Sequence, residues 1–152
     1  MTFTCRKPLL LVAVATLLSS CTSTPALNEP DEASLGRSKF SPVEVCRISG
    51  KDEYLARLVC ESGDRIEIGQ RGNVGPRTEM KSNATQDEVR EMIRRNLQYS
   101  SPAAGVPDYH IVDVYPVKCG ATVRFVYLDM YHCDKPSPQN APRGFKLLPT
   151  QR

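Results

Sequence analysis

From Val43 onward, apolar and polar residues alternate in short bursts separated by turn-forming clusters, and the period of the pattern changes once. Val43-Glu-Val-Cys-Arg-Ile48 alternates with a period of two, which predicts a strand. Ser49-Gly50-Lys51-Asp52 is turn material, and residues 53–60 resume a strand pattern. Glu61-Ser62-Gly63-Asp64 then separates Arg57-Leu-Val-Cys60 from Arg65-Ile-Glu-Ile68, a hairpin signal that completes a predicted three-stranded meander. Residues 69–83 carry three glycines and a proline and read as a loop.

At Thr85 the period becomes helical. Thr85 and Glu88 have the spacing of a capping box, and Val89, Met92, Ile93 and Leu97 fall on one helical face, so a helix is expected over about residues 86–98. Pro102, Gly105 and Pro107 end it. Residues 109–117 and 121–131 are the strongest strand segments, rich in Val, Tyr, Ile and Phe around a Lys118-Cys119-Gly120 turn. The expected order is β-β-β-α-β-β, mostly antiparallel, which defines a small α+β domain over residues 43–133.

Flanking segments lack this periodicity. Residues 21–42 contain Pro25, Pro30 and Pro42 among small and polar residues and read as a flexible tether. Residues 134–152 return to loop composition, with four prolines and a net charge of +3. They form either a Pro-rich basic disordered tail or a segment that docks through Phe145, Leu147 and Leu148.

Charge excludes one function class. The whole chain carries +3, and residues 43–133 hold 12 Lys+Arg against 13 Asp+Glu, so no basic footprint for a nucleic acid exists. Much of the apolar content lies in the first 20 residues: Arg6 and Lys7 precede an uncharged run from Leu9 to Leu18, followed by Leu18-Ser19-Ser20-Cys21. That is a positive, an apolar and a small-residue region in succession, too short for a membrane-spanning helix.

Leu18-Ser19-Ser20-Cys21 resembles the lipobox of bacterial lipoproteins. The resemblance covers residues 1–21 and implies cleavage after residue 20 with lipid attachment at Cys21. Thr22, where an Asp would signal inner-membrane retention, implies transport to the outer membrane, with the domain on the periplasmic side. The membrane, through this anchor, and an envelope protein are the partners expected.

Four cysteines, Cys46, Cys60, Cys119 and Cys133, fall inside the predicted domain, and an even number in a small exported domain predicts two disulfides. No Cys-x-x-Cys occurs, which removes the usual thiol-oxidoreductase and zinc-knuckle spacings. Pairing stays open. A repeated Cys-x7-Tyr-Leu-x4-Cys spacing favours Cys46–Cys60 and Cys119–Cys133, whereas a straight strand after the Lys118-Cys119-Gly120 turn would hold Cys119 and Cys133 roughly 40 Å apart.

Chemistry-bearing residues are few. Asp108-Tyr109-His110 and Asp129-Met130-Tyr131-His132 bring both histidines and two carboxylates near the open end of one predicted hairpin, a set that suits a divalent metal only if the register keeps the rings on one face. Gly69-Gln-Arg71-Gly-Asn73-Val-Gly-Pro-Arg77 is the candidate binding loop, with Arg71, Asn73 and Arg77 able to meet an anion. The charged face of the helix, from Asp87 to Arg95, reads as solvated surface. Hydrolase, zincin and Walker signatures are missing. Leu58-Val-Cys60-Glu-Ser-Gly63-Asp-Arg-Ile66-Glu-Ile68 resembles the Cys-x-x-Gly hairpin of membrane-bound lysozyme inhibitors, a resemblance of 11 residues that implies an all-β barrel and departs from the helix expected here.

The expectation is a periplasm-facing outer-membrane lipoprotein that acts as a non-catalytic binding or structural module. It has no assigned catalytic residue, cofactor or metal. The alternatives are a lysozyme-inhibitor-like protein, or a small metal-dependent enzyme using His110 and His132.

Overall fold

The computed structural model describes residues 32–150. Cys21, the signal-like segment and most of the expected tether lie outside the described residues. The described chain is α+β and stapled by two disulfides, as expected, but the order of its elements differs from the predicted one.

Residues 35–42 already belong to the folded unit, ahead of the expected boundary at Val43: Gly36, Ser41 and Pro42 are buried, and Gly36 O accepts from Tyr127 N at 2.9 Å. Strand β1 is only Val43–Glu44. The end of the first expected strand, the expected turn at 49–52 and the start of the second expected strand are instead helix α1, Arg47–Arg57. Ile48, the last residue of the first expected strand, lies in the first turn of this helix and is 63% exposed. What decides the local structure is the inward set Tyr54, Leu55 and Leu58, one helical face, supported by good helix formers and the Glu53–Arg57 pair at 3.8 Å, one turn apart.

Strand β2, Leu58–Cys60, keeps the expected tight turn at 61–64, closed by Gly63 N to Cys60 O at 2.8 Å. The meander fails beyond it, because β3, Glu67–Ile68, leaves β2 and pairs elsewhere. The expected loop at 69–83 contains β4, Gly72–Pro76, whose register shifts between Asn73 and Pro76; Gly75 sits in that irregularity at φ +83°, where a side chain would be strained. Helix α2, Gln86–Asn96, has the full capping box at Thr85 and Glu88, but none of its residues is buried.

Strands β5, Ile111–Cys119, and β6, Thr122–Asp129, form an unbroken antiparallel hairpin from Val112↔Asp129 to Cys119↔Thr122. β1 adds to β6 in parallel, through Val43↔Leu128 and Glu44↔Asp129. The other side of β5 is shared by β4 at its start and β3 at its end. Pro116 interrupts the donors of this central strand, and its carbonyl accepts from Gly69 N in the gap between β3 and β4. A Cβ on Gly69 would lie 2.8 Å from Pro116 Cγ, so the connection there needs glycine.

Of the two readings of the tail, docking is the one observed. Residues Phe145–Leu147 form β7, antiparallel to β2, and Phe145 is 8% exposed in the core. Leu148 N donates to Arg57 O at 2.9 Å, and Arg57 Nε donates back to Leu148 O at 2.8 Å.

Register partners share a face of the sheet. Val43, Leu128, Val126, Tyr115 and Val117 lie on the face covered by Tyr54, Leu55, Leu58 and Phe145, and this is the core. The disulfides are Cys46–Cys133 and Cys60–Cys119, so the local pairing suggested by the repeated spacing does not occur. The straight β5–β6 hairpin is the reason: Cys119 is at its turn and Cys133 beyond its open end.

Candidate functional site

The opposite face of the sheet carries a polar cluster at the open end of the β5–β6 hairpin. Glu44 and Asp129 are register partners there, and Arg77, just past β4, donates its backbone N–H to His110 O at 2.8 Å. Continuing the β5–β6 register would set His110 opposite Tyr131, and their rings do stack at 4.9 Å. By that register His132 would belong to the other face. The chain instead leaves the ladder after Asp129: Tyr131 N donates to Asp129 Oδ1 at 3.1 Å and His132 N donates to Val45 O at 3.2 Å. This bend swings His132 in beside His110, with ring centroids 5.2 Å apart and edge to face.

Four side chains converge. Asp108 Oδ1 is 2.9 Å from His110 Nδ1, and Asp129 Oδ2 is 3.7 Å from His110 Nδ1 and 3.0 Å from His132 Nε2. Asp108 Oδ2 is 3.9 Å from His132 Nε2. His110, Asp129 and His132 are 3%, 0% and 2% exposed. Despite the short distances, His110 Nδ1, Asp129 Oδ2 and His132 Nε2 make no hydrogen bond.

Cations line the outer rim. Arg77 reaches Glu44 at 2.5 Å, Asp108 at 3.3 Å and Asp129 at 4.0 Å, and Lys135 pairs with Glu44. Burial opposes the ionisation of Asp108, but the His110 ring and backbone N–H and the Arg77 charge outweigh it and bring its pKa down to about 2. Burial likewise opposes the charge on Glu44, and Lys135 and Arg77 overcome it, so its pKa falls. For His110, burial disfavours the protonated ring, yet Asp108 and Asp129 raise its pKa.

Ser101 Oγ lies 2.9 Å from His132 Nδ1. Ser101, His132 and Asp129 are the residue types of a hydrolytic triad, and His132 Nε2 lies 3.0 Å from Asp129 Oδ2 without a hydrogen bond. A hollow of about 230 Å³ between the end of α2 and residues 100–109 counts Ser101, Asp108 and His110 among its lining residues. A larger, more apolar one of about 480 Å³ lies under α2 and includes neither histidine. The arrangement offers metal-ligand atoms rather than an open catalytic cleft: Asp108, His110, Asp129 and His132 each present one such atom, all within 4.8 Å of one another.

The expected binding loop does not assemble. Arg71 pairs with Asp113 at 3.4 Å, Asn73 Oδ1 accepts from Gly75 N at 2.8 Å to close a turn within β4, and Arg77 is committed to the cluster. Cys46, Cys60, Cys119 and Cys133 all sit in disulfides. The sequence reading brought His110, His132 and the two aspartates together but missed Glu44, Ser101, Arg77 as a rim cation and Lys135, which come from four separate segments with no shared motif.

The chain matches no protein-family model, no curated protein and no solved structure.

Proposed function

We propose that this protein is an outer-membrane lipoprotein, anchored through Cys21, whose folded unit faces the periplasm and serves as a non-catalytic binding or structural module of the cell envelope. The observation that carries the non-catalytic reading is the burial of the only histidines in the chain, His110 and His132, which are 3% and 2% exposed. Two long-range disulfides suit an oxidising compartment, and the lipobox-like Leu18-Ser19-Ser20-Cys21 supplies the address. A binding role draws support from the outer face of the sheet, where Phe125 and Val123 are 57% and 53% exposed beside Pro116 and Tyr127.

The test joins anchor to contact. Wild type and Cys21→Ser are labelled with an alkynyl fatty acid in cells, and a photo-crosslinking residue replaces Phe125 in both. The expected result is label on wild type alone, with discrete adducts to an envelope protein in the wild-type membrane fraction. Equal labelling of both chains overturns the anchor. Absence of any adduct, with wild-type membrane localisation retained, overturns the binding face.

A further inference from the structure

We propose that Asp108, His110, Asp129 and His132 bind one divalent transition-metal ion, zinc above all, as a structural site that clamps the open end of the β5–β6 hairpin. The spacing is that of a ligand set. A tetrahedral zinc with bonds of about 2.0–2.1 Å holds its ligand atoms roughly 3.3 Å apart. Asp129 Oδ2 lies 3.7 and 3.0 Å from the two imidazole nitrogens, the nearer oxygens of Asp108 lie 2.9 and 3.9 Å from them, and one ligand atom from each residue falls within 4.8 Å of all the others.

Three of the four groups are more than nine-tenths buried, and each has a ligand atom without a hydrogen bond: His110 Nδ1, Asp129 Oδ2 and His132 Nε2. A buried polar atom with no partner is costly, and three aimed into one small space are what a missing cation would satisfy together. Their other atoms are already engaged in ways that turn the free ones inward. Ser101 Oγ contacts His132 Nδ1; when it accepts the proton there, Nε2 is left with its lone pair. The Tyr131 N–H occupies Asp129 Oδ1 and leaves Oδ2 to face the two rings. Outer contacts of this kind orient ligands in metal sites.

Charge and donor type select the ion. Asp108 and Asp129 balance a dication, while Glu44 is held by Arg77 and Lys135. Arg77, at 3.3 Å from Asp108 Oδ2, would withdraw toward Glu44 as the ion enters. Two imidazoles favour zinc and its neighbours over magnesium or calcium, and among the described residues every thiol is consumed in a disulfide. Four protein ligands leave no open position, which is the pattern of a structural site. This goes beyond the proposed envelope role and does not depend on it.

The test uses the full chain, disulfides intact, in detergent, stripped with a chelator and titrated with zinc chloride against a chromogenic zinc indicator. The chain has two histidines, both in the cluster, so no other imidazole site competes. One zinc per chain is expected, with a rise in melting temperature on the order of 10 °C at a free zinc concentration ~100 times Kd. Asp129→Asn and His132→Gln should bind at least ~100-fold more weakly and lose the shift. Ser101→Ala, which leaves every ligand in place, should weaken binding roughly 10- to 100-fold. Failure of the wild type to take up stoichiometric zinc overturns the proposal whether or not the variants fold, as does full zinc binding by a folded Asp129→Asn or His132→Gln protein.

Discussion

Replacing Cys60 and Cys119 together by alanine opens the inner of two nested covalent loops and leaves Cys46–Cys133 closed. Taken alone, a crosslink across 59 residues would contribute about 4 kcal/mol through the unfolded chain. The outer bond, across 87 residues, already confines that chain. Splitting such a ring restricts it about as much as closing a loop of roughly 20 residues, so the inner bond is worth about 3 kcal/mol in the chain-entropy model. Cys60 is buried, and losing its sulfur contacts adds a little to the cost. Against a typical total of about 5–15 kcal/mol, this is a large fraction, equivalent to a melting-temperature drop of roughly 12 °C. The assay is urea unfolding followed by circular dichroism under oxidising conditions. Because the effect acts on the unfolded chain, which expands once the loop opens, the denaturant dependence should steepen as the midpoint falls. A loss below ~1 kcal/mol, or a shallower dependence, would refute the reasoning and place the role of the bond in the folded state.

Three further outcomes are expected. Phe145→Ala should cost about 3–5 kcal/mol in the same assay, because the ring is 8% exposed in the core; a cost near zero would mean that β7 is dispensable. Thr85→Ala removes the cap of α2, worth about 1 kcal/mol locally, and since α2 buries no residue, hydrogen exchange should quicken in residues 86–96 while β5 and β6 stay protected. Burial raises the pKa of Asp113 above its ordinary 3.8 despite Arg71 and Lys51, so the folded state binds the proton more tightly than the unfolded one and this residue subtracts stability as pH rises past that value. Asp113→Asn should therefore match wild type near pH 3 and exceed it at pH 7 in urea midpoint; a lower midpoint at pH 7 would show that the Arg71 pair outweighs the burial.

What the sequence revealed was what local chemistry controls. Thr85 and Glu88 announce α2 because a capping box needs only four consecutive residues, and β5 and β6 are legible because their β-branched and aromatic content is dense. Helix α1 was misread because the alternation of Val43 and Val45 was carried on past Cys46, where the helix begins. β4 was hidden because its pairing rests on backbone groups, and glycine and proline carry no strand signal. The repeated cysteine spacing suggested partners that the straight β5–β6 hairpin keeps apart. For the histidine cluster, the hairpin placed both histidines and both aspartates at one end, but the face on which the rings meet was not legible. It depends on the bend after Asp129 and on Glu44, Arg77 and Ser101 arriving from distant segments.

The nesting of the two disulfides also bears on how the protein is made. A chain exported as proposed, amino end first, presents Cys46 and then Cys60 to the oxidant while Cys119 and Cys133 are still behind them. The first two thiols to meet are thus not partners, and each must wait for, or be released to, a cysteine synthesised much later. Maturation of this protein should therefore lean on a disulfide isomerase as well as on an oxidase, and a cell deprived of the isomerase should accumulate the Cys46–Cys60 species.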